Sequence, residues 1–366
     1  MLSHFQQALD KRKEEGILRI LKPPKKGVDF YSNDYLGFAR NRELQDLLLM
    51  KIIENPEILS GSTGSRLISG NSMIVTEIEA FIAKEHQYES ALLFPSGYNA
   101  NLALFSTLPS RHDTIIVDEF IHRSVHDACA MSHAKKIKFR HNDPESLENV
   151  LKRQKRNCYI AVESLYSMDG DGAPLDEICE LAEKYSAYLI VDEAHAFGVF
   201  GKGLVNQNQL QNRVFATVIT YGKALGMHGA AILSSELIKS YLINFASPFI
   251  YTTSSPDFHG ISIKTGYDFL ALNQKISMHL QNNIKIFRNQ NLMSLSSGNS
   301  PVQAVLMPDN ERLRKIQQTL FENGLISYAV YSPTVKKGTE RLRICLHSFN
   351  TEEEITKLTD TIKEFI

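Results

Sequence analysis

From Ser90 onward, short apolar runs alternate with stretches of helical periodicity. The apolar runs are Ala91-Leu92-Leu93-Phe94, Thr114–Asp118, Lys136–Arg140, Cys158–Glu163, Ala187–Asp192, Phe215–Thr220 and Gly229–Leu233. Most lack the in-out alternation of a half-exposed strand, so they read as strands buried on both faces. Helices are expected to open at Ser96-Gly97-Tyr98-Asn99 and near His122, and to run over 144–154 and 175–185. Fully apolar strands alternating with helices predict a mostly parallel sheet between two helical layers.

The flanks have a different pattern. Residues 4–20 space Phe5, Leu9, Leu18 and Ile20 among charges and predict an amphipathic helix, with Pro23 and Pro24 as its stop. Ser32-Asn33-Asp34-Tyr35-Leu36-Gly37 reads as a turn, and Ser60–Arg66 as a Gly/Ser-rich connection. A helix over 73–86 puts Ile74, Ile78, Phe81 and Ile82 on one face. From about 257 a long helical stretch runs to about Asn289. It is followed by the strand Val302–Leu306, a helix over 311–322, the strand Arg341–Leu346 and a last helix from Thr351. The expected organisation is an N-terminal helix and linker over 1–45, a large α/β domain over 46–256, and a long helix with a smaller α+β domain over 257–366.

Composition narrows the partners. The chain has 366 residues, 43% of them hydrophobic, with a formal charge of −1 and a pI near 6.9. That balance gives no basic surplus for nucleic acid or an anionic membrane. Lys135-Lys136-Ile137-Lys138 therefore reads as a solvated strand end. Cys129, Cys158, Cys179 and Cys345 are far apart and form no CxxC pair, so neither zinc nor a redox dithiol is expected. Met1–Gln7 lacks the apolar run of a secretory signal, and the apolar run 241–251 is too short to span a bilayer. A cytoplasmic protein is the expectation.

Several polar residues fall at carboxyl ends of the predicted strands, where open α/β sheets bind ligands. Lys223 follows the strand 215–220, and alone it would be an ordinary solvated lysine. Asp192 ends its strand in Val191-Asp192-Glu193-Ala194-His195, and alone would pass as a helix N-cap. Ser96-Gly97-Tyr98 opens a helix, whose free N–H groups favour a phosphate. His122 opens another. A cofactor carrying an aldehyde, a pyridine ring and a phosphate needs this set: a lysine for the Schiff base, a carboxylate at the ring nitrogen, and a helix start for the phosphate.

At these residues the sequence resembles the pyridoxal-phosphate (PLP) α-oxoamine synthases, which have fold type I. The resemblance rests on Ser32–Gly37, Gly61–Arg66, Ser69-Gly70, Ser96–Asn101, Ser167-Met168-Asp169-Gly170-Asp171, Asp192–His195, Thr220–Lys223, Tyr251–Ser254 and Gly338–Arg343. It implies a large domain with a mostly parallel seven-stranded sheet between helices, plus a smaller α+β C-terminal domain. It further implies that Lys223 is the Schiff-base lysine and the main acid/base, and that Asp192 pairs with the pyridinium nitrogen. His195 and Ser167 would contact the ring's phenolic oxygen, and His122 would stack on the ring. Ser96, Gly97, Tyr98 and Thr220 would bind the phosphate. Thr253 and Ser254 would reach the phosphate of a partner subunit, making the active unit a homodimer. Arg343 would take the substrate carboxylate, with Asn33 assisting, and Arg341 on the same strand face competes for that role.

The implied reaction is a decarboxylative condensation of a small amino acid with an acyl thioester, carried by CoA or an acyl carrier protein. L-Alanine with a pimeloyl donor is the first expectation. Glycine with acetyl-CoA, or serine with a long acyl chain, are the alternatives. Two features depart from the family pattern: Gly203 runs into Leu204, and Met227-His228 stand where small residues are usual. Asp192-Glu193-Ala194-His195 also matches a helicase acidic box, but no phosphate loop accompanies it. A non-catalytic homologue could dispense with Lys223, which this chain keeps.

Overall fold

The computed structural model describes residues 2–15, 17–21, 23, 25–332 and 335–366. Its strands are β1 (Val28–Asp29), β2 (Ser90–Phe94), β3 (Thr114–Asp118), β4 (Lys135–Phe139), β5 (Cys158–Glu163), β6 (Tyr188–Asp192), β7 (Ala216–Thr220), β8 (Ala230–Ser234), β9 (Val302–Leu306), β10 (Leu325–Ile326), β11 (Tyr328–Val330) and β12 (Arg341–Cys345). Strands β2 to β8 form one seven-stranded sheet in the order β2-β8-β7-β6-β5-β3-β4. Pairing is parallel from β7 through to β4, and β8 alone runs against its neighbours β2 and β7. The expected mostly parallel sheet is present.

The apolar runs bury both faces, as their lack of alternation requires. Ile115, Val117, Ala161, Ile190, Val218 and Ile232 pack on one side with Leu104, Val125 and Leu242 from helices 97–107, 123–131 and 236–245. Ile116, Ile160, Val162, Leu189 and Val191 pack on the other with Leu147 and Ile178 from helices 144–151 and 175–184. β4, at one edge of the sheet, is the exception. Lys135, Lys136 and Lys138 are exposed there, where charge discourages pairing with another chain. The four cysteines are buried and free.

The C-terminal part adds an antiparallel sheet in the order β11-β12-β9. β1 pairs in parallel with β10, so the chain just after the N-terminal segment lies against the C-terminal part. The N-terminal helix is shorter than the sequence predicts: it spans Ser3–Glu14 and buries none of its residues. Leu18 and Ile20 lie beyond it without regular structure, since no core is offered to that face. Pro24 lies outside the described residues. The long stretch from 257 is two helices, Asp257–Leu272 and Gln274–Asn289, interrupted at Asn273. No helix among the described residues is long and apolar enough to cross a membrane.

Helix 73–86 is tied to the sheet edge by a buried charge. Glu79 is 2% exposed and accepts both N–H groups of the Arg66 fork, at 2.8 and 3.2 Å. It also accepts the backbone N–H of Leu93 at 2.9 Å. Removing one member of such a pair strands the other in a poorly hydrated place. Glu79→Ala should therefore lower unfolding stability by about 3 kcal/mol, read from the urea midpoint at unchanged slope.

Candidate active site

The carboxyl ends of the parallel strands open into one cavity. Asn33, Ser96, Gly97, Tyr98, His122, Ser167, Asp192, His195, Thr220, Lys223 and Arg343 all line it. Sequence reasoning thus placed most of the wall. It gave no role to Glu163, Asn101, Met168 or Tyr328, which line the cavity too.

Register explains the convergence. β5 and β6 pair Glu163 with Asp192, so their carboxylates end side by side. Asp192 is opposite Val218, and Thr220 and the turn beyond it extend further into the same space. That turn is closed by the N–H of Gly226 donating to the Lys223 carbonyl at 2.9 Å, and that of Met227 donating to Tyr221 at 2.9 Å. Gly226 has φ +63°, and a side chain there would collide with the backbone of Ala39. Met227 packs over Gly266, away from the cavity, whereas His228 lines it.

Lys223 carries no side-chain hydrogen bond or ion pair among the described residues. Burial holds its amine below the usual lysine value, Asp192 and Glu163 oppose that shift, and the Arg343 guanidinium adds to it. The result is an amine with a larger neutral fraction than an exposed lysine.

Asp192 is 7% exposed. It accepts from the backbone N–H of Ala194 at 2.9 Å and from Asn101 Nδ2 at 2.8 Å. Asn101 Nδ2 also donates to Ser124 Oγ at 3.0 Å. The Ser124 hydroxyl then lies 2.8 Å from His122 Nδ1, and the Ser124 N–H also points at that nitrogen, at 3.3 Å. Two donors aimed at Nδ1 make it an acceptor, so the proton of His122 sits on Nε2. Burial holds the ring below the usual histidine value, with Asp192 opposing the shift and Lys223 adding to it. Asp192 and His122 are thereby joined through Asn101 and Ser124, a link hidden in the sequence because both connectors sit inside helices.

His195 is buried and held well below the usual histidine value by burial and by the cations Lys223 and Arg343. Its Nδ1 lies 2.7 Å from the Tyr35 hydroxyl. Arg343 is 6% exposed. Its Nε donates to the Ser167 carbonyl at 2.7 Å, and its Nη2 to Asn33 Oδ1 at 2.9 Å. Arg341 points elsewhere: it is paired with Asp169 and donates through Nε to the Thr339 carbonyl at 2.9 Å.

At the far end Ser96 caps helix 97–107 by accepting the N–H of Asn99. The first-turn N–H groups of Gly97 and Tyr98 have no acceptor within the helix. A Cβ on Gly97 would lie 2.6 Å from Thr220 Cγ2, so glycine lets the helix start close against the end of β7. The Tyr98 hydroxyl turns away to donate to Asp127 at 2.9 Å. Thr253 and Ser254 do not join this cavity within the chain. They line a separate cleft with Phe94, Phe249 and His259. Glu193, within the acidic box, has a structural task, since its carboxylate accepts the N–H groups of Leu204 at 2.6 Å and Val205 at 3.0 Å.

The donor set fits PLP. Asp192 retains lone pairs for a ring N–H, Lys223 is an unpaired amine, and the helix start offers free N–H groups.

Glu163 is 3% exposed, and its Oε1 has no partner. Burial and the neighbouring Asp192 push its carboxyl up to about 8. An acid raised on folding favours the folded state fully below its unfolded value of 4.5, and that advantage is lost as pH rises towards 8. Glu163→Gln stays neutral throughout. Urea midpoints should match the parent near pH 4.5 and exceed it increasingly up to pH 8, with no further gain above.

Known proteins share the fold. The family described as aminotransferase class I and II matches residues 25–362. An 8-amino-7-oxononanoate synthase from Emericella nidulans is 37% identical, covering 99% of this chain and 95% of its own. The solved 8-amino-7-oxononanoate synthase from Francisella tularensis is 29% identical, with a TM-score of 0.77, covering 92% of this chain and 97% of its own. A serine palmitoyltransferase solved with PLP has a TM-score of 0.89 over 100% of this chain and 98% of its own, and at 24% identity that likeness speaks for the fold.

Proposed function

The chain belongs to the aminotransferase class I and II family of PLP enzymes, and we propose that it condenses L-alanine with a pimeloyl thioester, releasing CO2, to give 8-amino-7-oxononanoate. The observation that carries this reading is the sharing of one cavity by Lys223, Asp192 and Arg343, contributed from two sheets. When bound, PLP supplies an electron sink for charge developing at the amino-acid α-carbon.

The chain's own residues divide the remaining work. Lys223 holds PLP covalently at rest, and its depressed amine afterwards takes the proton from the α-carbon. Asp192 keeps a proton on the ring nitrogen. His122 supports one ring face, and His195 with Ser167 flanks the phenolic oxygen. Ser96, Gly97, Tyr98 and Thr220 hold the phosphate. Arg343 takes the alanine carboxylate through its planar fork, assisted by Asn33. Arg341 is already neutralised by Asp169, which favours Arg343 for this task.

The active unit in this reading is a cytoplasmic homodimer in which Thr253 and Ser254 complete the phosphate site of the other subunit. Exposed Leu47, Met50, Ile53, Leu59, Ile68 and Met73 give the chain the apolar surface a second copy would cover. Glycine with acetyl-CoA and serine with a long acyl chain are the alternatives.

Substrate assays separate the readings. CO2 release should depend on alanine and a pimeloyl thioester together, with acetyl and palmitoyl donors far poorer. Turnover with glycine or serine and not with alanine would overturn the assignment. Arg343→Lys should raise the KM for alanine roughly tenfold or more while PLP binding holds. Arg341→Lys should leave that KM near the parent value.

A further inference from the structure

Behind the cavity wall, His141 lies between two carboxylates. Its Nδ1 is 2.9 Å from Asp118 Oδ1 and its Nε2 is 2.7 Å from Asp171 Oδ2. Both ring nitrogens face acceptors only, so both must carry protons and the ring is an imidazolium. Asn142 closes the cluster: its backbone N–H donates to Asp118 Oδ2 at 3.0 Å and its Nδ2 to Asp171 Oδ2 at 2.7 Å. The ring lies against Phe120 and meets Tyr166 edge-on. His141 is not part of the cavity lining.

Each carboxylate governs a segment that carries active-site groups. Asp118 ends β3 and shapes the turn into His122, accepting the N–H of Phe120 at 2.8 Å through its side chain and that of Ile121 at 3.2 Å through its carbonyl. Asp171 closes the loop after β5, where its carbonyl accepts the N–H of Tyr166 at 2.9 Å. That loop carries Ser167, whose carbonyl holds Arg343 Nε at 2.7 Å. On its other side the loop is anchored by the Asp169–Arg341 pair and by Ser296 Oγ donating to the Asp169 carbonyl.

We propose that His141 is a positioning residue: as an imidazolium bridging Asp118 and Asp171, it fixes the turn bearing His122 against the loop bearing Ser167, whose carbonyl holds Arg343. The bridge thereby sets the width of the cofactor pocket and the depth of the carboxylate site from outside both.

The bridge works only while the ring is charged. Its two carboxylates hold the imidazolium up to about 9 against the pull of burial. The other groups facing it are Glu119, whose Oε1 accepts the His141 backbone N–H at 3.0 Å, and the Tyr166 and Phe120 rings. The adjacent Arg140 is engaged by Asp143. The coupling is full below the unfolded histidine value of 6.5 and is lost as pH rises through about 9.

The test uses full-length protein, reading PLP dissociation constants from the visible absorbance of bound PLP between pH 6 and 10, with KM and kcat for the amino acid alongside. His141→Gln should weaken PLP binding and raise the amino-acid KM, each roughly tenfold at pH 7, with a smaller change in kcat. The parent should lose PLP affinity as pH passes about 9, and His141→Gln should lack that step. Asp171→Asn, which keeps an acceptor without the charge, should show the same defects more weakly. As a check independent of variants, imidazole nitrogen NMR of the parent should show both ring N–H groups of one histidine persisting to about pH 9. Unchanged affinity and KM in His141→Gln, or a lower melting temperature as the only effect, would overturn the proposal. So would an alkaline step that survives the substitution, or a neutral ring at pH 7.

Discussion

Glu163 and Asp192 end neighbouring parallel strands side by side, and Lys223 reaches the same poorly hydrated space from the turn after the next strand. Two adjacent carboxylates cannot both ionise cheaply there, and a lone amine loses proton affinity. The surroundings answer this. Asn101 and the Ala194 N–H donate to Asp192, while Glu163 is left with an unpaired oxygen and its carboxyl is pushed up to about 8. The two donors thereby fall on the carboxylate proposed to face a ring nitrogen. The amine proposed as nucleophile and base is held below the usual lysine value.

Elements far apart in sequence serve that arrangement. Helix 97–107 supplies both the free N–H groups of Gly97 and Tyr98 at its start and Asn101 one turn later. The antiparallel β11-β12-β9 sheet contributes Arg343, which the loop after β5 grips through the Ser167 carbonyl. The smaller sheet and the main sheet thus meet where Arg343 donates to the Ser167 carbonyl. The buried Glu79–Arg66 pair secures the opposite edge, where helix 73–86 meets β2.

Much of this was legible in the chain. Fully apolar runs located the strands of the main sheet, and the polar residues just beyond them lined the cavity, because ligand sites of open α/β sheets lie at those ends. Strand direction was less legible: the apolar run 229–233 does not say that β8 runs against its neighbours, since periodicity is blind to direction. The N-terminal helix was overextended because Leu18 and Ile20 fit a helical stripe that no core receives. Glu163 was hidden as the polar end of an apolar strand, and Asn101 and Ser124 as ordinary helix residues. Arg343 and Arg341 alternate by two along β12 and look alike in the sequence; only their partners separate them, Asn33 and the Ser167 carbonyl for the first and Asp169 for the second.

The central claim is that Lys223 is the residue joined to PLP, held there by the strand ends around it. Borohydride reduction of the PLP-loaded protein, followed by proteolysis and mass spectrometry, tests it directly. The account predicts a pyridoxyl group on Lys223 and none in Lys223→Ala. Label on another lysine of the parent, or trapping that persists in Lys223→Ala, would contradict it.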